Sequence, residues 1–457
     1  MSDRSLTDGS ISRAVLSVSA PMVLGIFGVL AVGLADAYFL ARVGQTQLAA
    51  VGYIYPVTVS VTSLSIGLAA GANAALSQSI GAGTSEDETH RMGLHALGLG
   101  LVVGVVVGTA LWALQGPIFG LIGAKGPVTD EIADYVFWWA MSFPFLVLSM
   151  LVGAMFRARG DGVTASIIMA NQAATNIALD PLLIFGLGPF PEMSTGGAGL
   201  ATFLVRVGAT VGGIWWAWRK GHLSTARNPF EQIGRSVRRI GEVGLPAAIS
   251  NAINPAGMAM VTAAVATLGE AAVAGFGAAT RVQSLAIVPL LALSSGIGPV
   301  VGQNWGAQRT DRARGAVRVT FLMCGGYGAC VGTVLMLFGG PIASAVASGP
   351  DDAAVAAVYL RIVGLSLFGY GVLVTGNAAM NARSKAMWSM GLSAARIFAV
   401  YLPLAWLLVG LFGFAGIAAA AATANVAAAL AMVWATRTTG LSPLADRSEL
   451  QARSARQ

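Results

Sequence analysis

The chain has 457 residues, of which 56% are hydrophobic and only 10% are charged, and its mean hydropathy is +0.73. A soluble protein carries about 25% charged residues, so this composition excludes an ordinary water-soluble fold and indicates a polytopic membrane protein. The formal net charge of +7 does not indicate a nucleic-acid partner, because the basic residues cluster at the ends of apolar stretches.

Apolar stretches long enough to cross a bilayer recur along the whole chain, and breakers such as Gly126-Pro127 separate them. The first stretch is longer than a signal peptide's apolar region and contains a carboxylate, so we expect it to be retained. The sequence predicts twelve spans, at 16–40, 48–80, 93–115, 130–156, 163–187, 197–218, 242–267, 271–303, 315–338, 352–381, 387–411 and 413–436.

The distribution of Lys and Arg predicts the orientation. If the N-terminus is cytoplasmic, inside segments hold 20 of the 27 basic residues and outside loops hold 2. This asymmetry predicts that both termini are cytoplasmic, in the inner membrane of a bacterium or archaeon.

An internal repeat divides the chain into two halves. Shifting residues 21–82 by 225 positions pairs Pro21 with Pro246 and Gln78 with Gln303, together with several glycines. We therefore predict an N-terminal six-helix lobe (1–218), a basic cytoplasmic linker (219–241), a C-terminal six-helix lobe (242–436) and a cytoplasmic tail (437–457). With six spans in each half, the bundles are parallel repeats related by an axis along the membrane normal.

Two acids lie well inside apolar spans, Asp36 in the first and Asp180 in the fifth. A carboxylate at such depth costs about 2.5–3.5 kcal/mol unless a proton, a cation or a hydrogen bond offsets the cost. At 1.5 Å per residue, both lie about 9–10 Å from the outer surface, and Thr202 of the sixth span lies about 8 Å from it. Asn176 precedes Asp180 by one turn, and Pro181 is expected to interrupt the helix beside them.

These four polar residues predict a cation site for H⁺ or Na⁺, between which the sequence does not decide. The alternative is that the acids only join helices. The repeat favours the cation site, because Val261 and Ala419 of the second half replace Asp36 and Thr202.

Pro21, fifteen residues before Asp36, is a candidate hinge, although it could instead mark a helix start, where proline is harmless. Polar residues in later spans are candidates to line a substrate cavity, with hydrogen bonding between helices as the alternative. They are Asn251, Asn254, Gln283, Asn377 and Asn381.

The runs GLADAYFLARVGQTQLAAVG, NIALDPLLIFGLG, GGAGLATFLVR and GFGAATRVQSL resemble multidrug and toxic compound extrusion (MATE) transporters, over essentially the whole chain. Within the family, the chain resembles the DinF-like branch. That resemblance implies a cation site at Asp36, Asn176, Asp180 and Thr202. The NorM-like branch has acids in the seventh and tenth helices, where this chain has Asn254 and Tyr370, which adds Tyr370 to the cavity candidates.

The resemblance implies an antiporter that exports bulky, often cationic or amphipathic compounds in exchange for H⁺ or Na⁺. We also expect a monomer that needs no other cofactor. The alternative is a flippase for lipid-linked oligosaccharides or other lipids. An enzyme is not expected, since the three histidines and two cysteines form no catalytic or metal-ligand pattern. The terminal segments 1–13 and 440–457 are expected to be dispensable for transport.

Overall fold

The computed structural model describes residues 6–226 and 228–443, and within these ranges the regular structure is entirely helical. Residues 444–457, most of the predicted tail, lie outside them. The helices are α1 (Ile11–Val43), α2 (Gln45–Gly81), α3 (Glu86–Leu121), α4 (Val128–Ala158), α5 (Gly162–Ile184), α6 (Ser194–Arg219), α7 (Ile233–Ala266), α8 (Glu270–Ala286), α9 (Val288–Gly306), α10 (Thr310–Val346), α11 (Pro350–Gly364), α12 (Leu367–Ala382), α13 (Ala386–Ala394) and α14 (Leu402–Thr438), with a π-helix at Ala395–Tyr401.

The order of these helices matches the twelve predicted spans. Eight helical segments of the described chain are long and apolar enough to cross a bilayer alone, and two bent pairs raise that number to ten. The helix α7 and the second part of α14 correspond to the other two predicted spans. Gly413 breaks α14 with φ 57° and ψ −138°, a conformation open mainly to glycine, at the predicted boundary between the last two spans.

Three details differ from the sequence prediction. Two spans predicted as single helices are bent pairs, with 41° between α8 and α9 and 58° between α11 and α12. The helix α5 continues through Pro181 to Ile184, because a proline in the last turn removes one hydrogen bond yet keeps a helical φ. Pro21 lies ten residues inside α1, so the interpretation of Pro21 as a helix start is wrong.

The described residues form two compact units. Unit 1 comprises residues 20–255, and α4 packs there against α2, α3, α5 and α6. Unit 2 comprises residues 6–19 and 256–443, and α12 packs there against α9, α10, α13 and α14. The first part of α1 thus belongs to unit 2, and the first part of α7 belongs to unit 1. The predicted division at a cytoplasmic linker (219–241) stays a prediction.

Glycines allow the first part of α7 to pack closely against α2, and the first part of α1 to pack closely against α9. In unit 1 a Cβ on Gly71 of α2 would overlap backbone atoms of Ile240 and Gly244 in α7. In unit 2 a Cβ on Gly296 of α9 would overlap Ser19 of α1. Gly296 lies 225 positions after Gly71, and Gly244 lies 225 positions after Ser19, so the same close contact is built twice.

A short segment before α1, residues 6–9, is tied to unit 2. Leu6 is only 2% exposed; its N–H donates to Gln303 Oε1 at 3.1 Å and its carbonyl accepts from Asn304 Nδ2 at 3.1 Å. Arg309 donates to the carbonyl of Thr7 at 2.8 Å. We call residues 6–9 the N-terminal strap.

Candidate functional site

The two intramembrane acids meet inside unit 1. Asp36 is carried by α1 and Asp180 by α5, and their carboxyl groups contact each other directly. Asp180 is fully buried. The proximity expected from helix depth is therefore found, even though 144 residues separate the two acids in the sequence.

Asn176 joins this pair from one turn earlier on α5. Its Nδ2 donates to Asp180 Oδ1 at 3.2 Å, and its side chain is buried at 4% exposure. Among the residues that the structure describes, Asp36 Oδ1 and Asp180 Oδ2 are buried without a hydrogen-bond donor. Ionised carboxylates only accept hydrogen bonds, so two in contact call for a shared proton or a cation between them.

Thr202 reaches the acids through Tyr135, a residue that the sequence reasoning missed. Tyr135 of α4 contacts the hydroxyl of Thr202 on α6, and it lies near both Asp36 and Asp180. A tyrosine near the end of a span has no charge, so hydropathy and buried charge do not single it out. The internal repeat offers one signal, because Tyr359 of the second half lies 224 positions after Tyr135, one residue short of the repeat offset of 225.

Arg206 is the second residue that the sequence reasoning did not place in the site. It follows Thr202 by one turn of α6 and lies close enough to Asp36 to attract its carboxylate. Its Nη1 donates to Ser142 Oγ at 2.6 Å, and its guanidinium lies 5.1 Å from the ring centroid of Trp139. The i, i+4 spacing from Thr202 was the available signal.

The oxygen atoms of this site are suitable ligands for a monovalent cation. Carboxylate, amide and hydroxyl oxygens are ligands for hard cations, and Asp36, Asn176, Asp180 and Thr202 supply them, with Tyr135 as a further hydroxyl. The buried carboxylate oxygens equally suit one shared proton. Both chemistries fit the residues present, and both place the exchangeable charge between α1 and α5.

The candidate cavity residues fall in both units. In unit 1, Asn251 Nδ2 donates to the Ala247 carbonyl of its own helix at 2.8 Å, and Asn254 lies one turn further along α7. This hydrogen bond fits the alternative interpretation of Asn251 as a residue satisfied within its helix.

In unit 2 the candidates contact neighbouring helices. Gln283 Oε1 accepts from the Tyr359 hydroxyl at 2.9 Å, and Asn377 Nδ2 donates to Ser393 Oγ at 3.0 Å. The ring centroid of Tyr370 lies 5.3 Å from the Arg396 guanidinium, and Oδ1 of Asn381 is buried. The cavity role of all six residues stays a prediction.

The MatE family model matches this chain twice, over residues 21–182 and 246–407. Both ends of the second match lie 225 positions after those of the first, the same offset as the internal repeat. The two matches cover well over half of the chain, and the chain therefore belongs to the MatE family of membrane transporters.

Two relatives with transporter names agree with this assignment. The chain is 31% identical over 411 residues to an FAD transporter of Shewanella oneidensis, a match covering 89% of this chain and 90% of the relative. It is 26% identical over 385 residues to a probable multidrug resistance protein, NorM, of Thermotoga maritima, covering 83% and 82%. These names describe transport proteins, and MATE family members are transporters rather than enzymes.

A solved structure shows the same fold. The MATE transporter VcmN of Vibrio cholerae, in the bent form, superposes with a TM-score of 0.88 at 26% identity, covering 94% of this chain and 97% of VcmN. The predicted fold class is confirmed: an all-α, multi-pass membrane transporter with two six-helix repeats.

Proposed function

We propose that this transporter is a cation-coupled antiporter that exports bulky organic compounds, with Asp36 and Asp180 as the coupling residues. The contact between their carboxyl groups, each with a buried oxygen that lacks a donor among the described residues, carries this proposal. Buried acids in transporters form proton and ion relays, because an intramembrane charge is stable only when it is neutralised.

The charges of the site favour one monovalent cation per cycle. Two ionised carboxylates and the Arg206 guanidinium leave a net charge of −1, which one proton or one Na⁺ neutralises. Thr202 and Tyr135 would add hydroxyl ligands for Na⁺, whereas the carboxyl pair alone suffices for H⁺.

Alternating access would use α1, which belongs to unit 2 before Ala20 and to unit 1 after it. Pro21 stands next to this division and lacks the N–H that would bond to the Ser17 carbonyl, so α1 can bend there. A ligand drives such a cycle only by preferring one state, and a cation at Asp36 would act on the same helix. We further propose an inner-membrane monomer with both termini cytoplasmic.

The substrate class has two candidates. The family resemblance and the multidrug proteins among the relatives favour cationic or amphipathic compounds, whereas the FAD transporter favours a flavin nucleotide. A lipid flippase is the less favoured alternative, because the relatives reported above carry the names of drug and FAD transporters.

Transport from proteoliposomes tests the coupling. Wild type and Asp36→Asn would be reconstituted with ethidium inside, and efflux would be followed by fluorescence under an imposed pH gradient or an imposed Na⁺ gradient. We expect one gradient to drive efflux in the wild type and Asp36→Asn to lose it, since an amide neither ionises nor shares a proton.

The matched control is Asp134→Asn, an exposed acid on α4 outside the carboxyl pair, which should keep wild-type efflux. Gradient-driven efflux that persists in Asp36→Asn would refute the coupling role. If neither gradient moves ethidium or FAD, export of soluble organic compounds is wrong and lipid translocation becomes the function to test.

A further inference from the structure

Two irregular stretches of backbone meet inside unit 2. The 58° bend between α11 and α12 falls at Ser366, and the π-helix covers Ala395–Tyr401. Asn425 of α14 connects them, because its Nδ2 donates to Ser366 Oγ at 2.9 Å and its Oδ1 accepts from Arg396 Nε at 3.2 Å. Broken helices and π-bulges at membrane depth mark binding sites in transporters.

Arg396 is the centre of this region. Its side chain is 9% exposed, and the ionisable groups that face it are the phenols of Tyr370, Tyr401 and Tyr359. Tyr359 also donates to Gln283 at 2.9 Å. We call Arg396, Asn425, Tyr359, Tyr370, Tyr401 and Gln283 the arginine cluster.

Two members of the cluster are partly exposed. They are Tyr370 and Gln283, whereas Arg396 and Asn425 are buried. The neighbouring phenols are uncharged at neutral pH. A phosphate that entered beside Tyr370 would meet a guanidinium, whose planar fork of donors matches phosphate oxygens.

The acids of the second half do not compete for this cation. The sequence has no Asp or Glu at 271–310, 312–350 or 353–443. Glu270, Asp311, Asp351 and Asp352 all lie in the first turns of α8, α10 and α11. The membrane-depth part of this half therefore carries positive charge.

The repeat shows that the two halves have opposite polarity at related places. Tyr359 lies 224 positions after Tyr135, the same separation as Arg383 from Arg159. Tyr135 stands beside a pair of carboxyl groups in unit 1, whereas Tyr359 faces Arg396 in unit 2. The first site attracts cations, and the second repels them and attracts anions.

We propose that the arginine cluster binds the phosphate group of an anionic organic substrate, with a nucleotide such as a flavin nucleotide as the ligand class. This inference rests on the proposed export function and names the substrate for it. Arg396 and Asn425 would hold the phosphate oxygens, and the partly exposed ring of Tyr370 would pack against the planar part of the substrate.

Three flavins with the same ring system test the inference. Riboflavin has no phosphate, FMN has one and FAD has two, and binding of each to purified protein would be measured from flavin fluorescence. We expect wild type to bind FAD and FMN at least about tenfold more tightly than riboflavin. Arg396→Gln should remove that preference, and Arg361→Gln, an exposed intramembrane arginine of α11, should keep it.

Each outcome decides the inference. Equal affinity for FAD and riboflavin in the wild type, or an unchanged FAD preference in Arg396→Gln, would overturn it. If Arg396→Gln does not fold, competition on the wild type replaces it: inorganic pyrophosphate should displace FAD but not riboflavin. Displacement of FAD by phosphatidylglycerol micelles and not by pyrophosphate would overturn the nucleotide class in favour of a lipid phosphate.

The inference and the proposed function can fail separately. Gradient-driven ethidium efflux together with FAD binding that ignores Arg396 would overturn the inference and leave the antiporter intact. Arg396-dependent FAD binding in a protein that neither pH nor Na⁺ gradients drive would overturn the coupling and leave the phosphate site intact.

Discussion

Truncating Leu6 in the N-terminal strap should loosen the junction between α1 and unit 2. Leu6 is 2% exposed in a core cluster with Val15, Ile297 and Val300, and its N–H and carbonyl bond to the side chains of α9. Leu6→Ala should release the strap from this surface while leaving the helices in place.

The magnitude follows from the burial. Replacing a fully buried leucine by alanine costs about 2–5 kcal/mol, and the lower part of this range applies because a terminal segment can detach instead of leaving a cavity. A loss of about 2 kcal/mol corresponds to a roughly 30-fold increase in the open population of the strap.

Hydrogen–deuterium exchange with mass spectrometry measures that population. Peptides that contain residues 6–9 should exchange about 30-fold faster in Leu6→Ala. The control is Leu16→Ala, because Leu16 is 45% exposed on α1, the helix that follows the strap, and should leave the strap protected. Equal exchange in Leu6→Ala and the wild type would refute the docked strap. Deletion of residues 2–9 should also slow efflux, contrary to the expectation from sequence that the N-terminus is dispensable.

Two further predictions concern stability in detergent, measured by thermal unfolding. Gly71→Ala should destabilise the protein by about 1–3 kcal/mol, because a Cβ at this position overlaps the α7 backbone. The control is Gly52→Ala on the same helix, where a Cβ enters open space and should not lower the melting temperature. Equal melting temperatures of the two variants would contradict the close α2–α7 contact. Asp161, between α4 and α5, is partly desolvated, which raises its pKa, but hydrogen bonds from Lys220 and Thr164 outweigh this and hold the pKa below the usual 3.8. Its charge therefore stabilises the fold fully above about pH 4, and this stabilisation is lost as the pH falls further. Asp161→Asn should lower the free energy of unfolding by about 0.5–1 kcal/mol at pH 7 and by progressively less below pH 4. A stability difference between the variant and the wild type that does not change with pH would contradict this prediction.

Much of the fold could be predicted because it depends on local composition. Each span is a run of about 20 apolar residues, and the boundary at Gly413 between the last two spans follows from a short stretch of sequence. The repeat is visible because Pro21, Gly71 and Gln78 recur at one offset. The meeting of Asp36 and Asp180 was also within reach, since depth along a straight helix is a matter of counting residues.

Other features depend on contacts between residues far apart in the chain, which no periodicity encodes. Tyr135 and Arg206 enter the carboxyl site only because α4 packs against α6. Asn425 joins Ser366 to Arg396 only because α14 packs against α12 and the π-helix. The bends in the α8–α9 and α11–α12 pairs also depend on such contacts. The hydropathy of an apolar segment is the same whether its helix is straight or broken.

The sequence by itself determined the membrane class, the number and order of the spans, the two-fold repeat and the pair of buried acids, because hydropathy and buried charge are properties of single residues and their neighbours. Only the tertiary structure decided which polar groups face those acids, which parts of α1 and α7 belong to which unit, and where the second half concentrates its positive charge. The physical reason is that packing, unlike hydropathy, is settled between side chains that the sequence places a hundred or more residues apart.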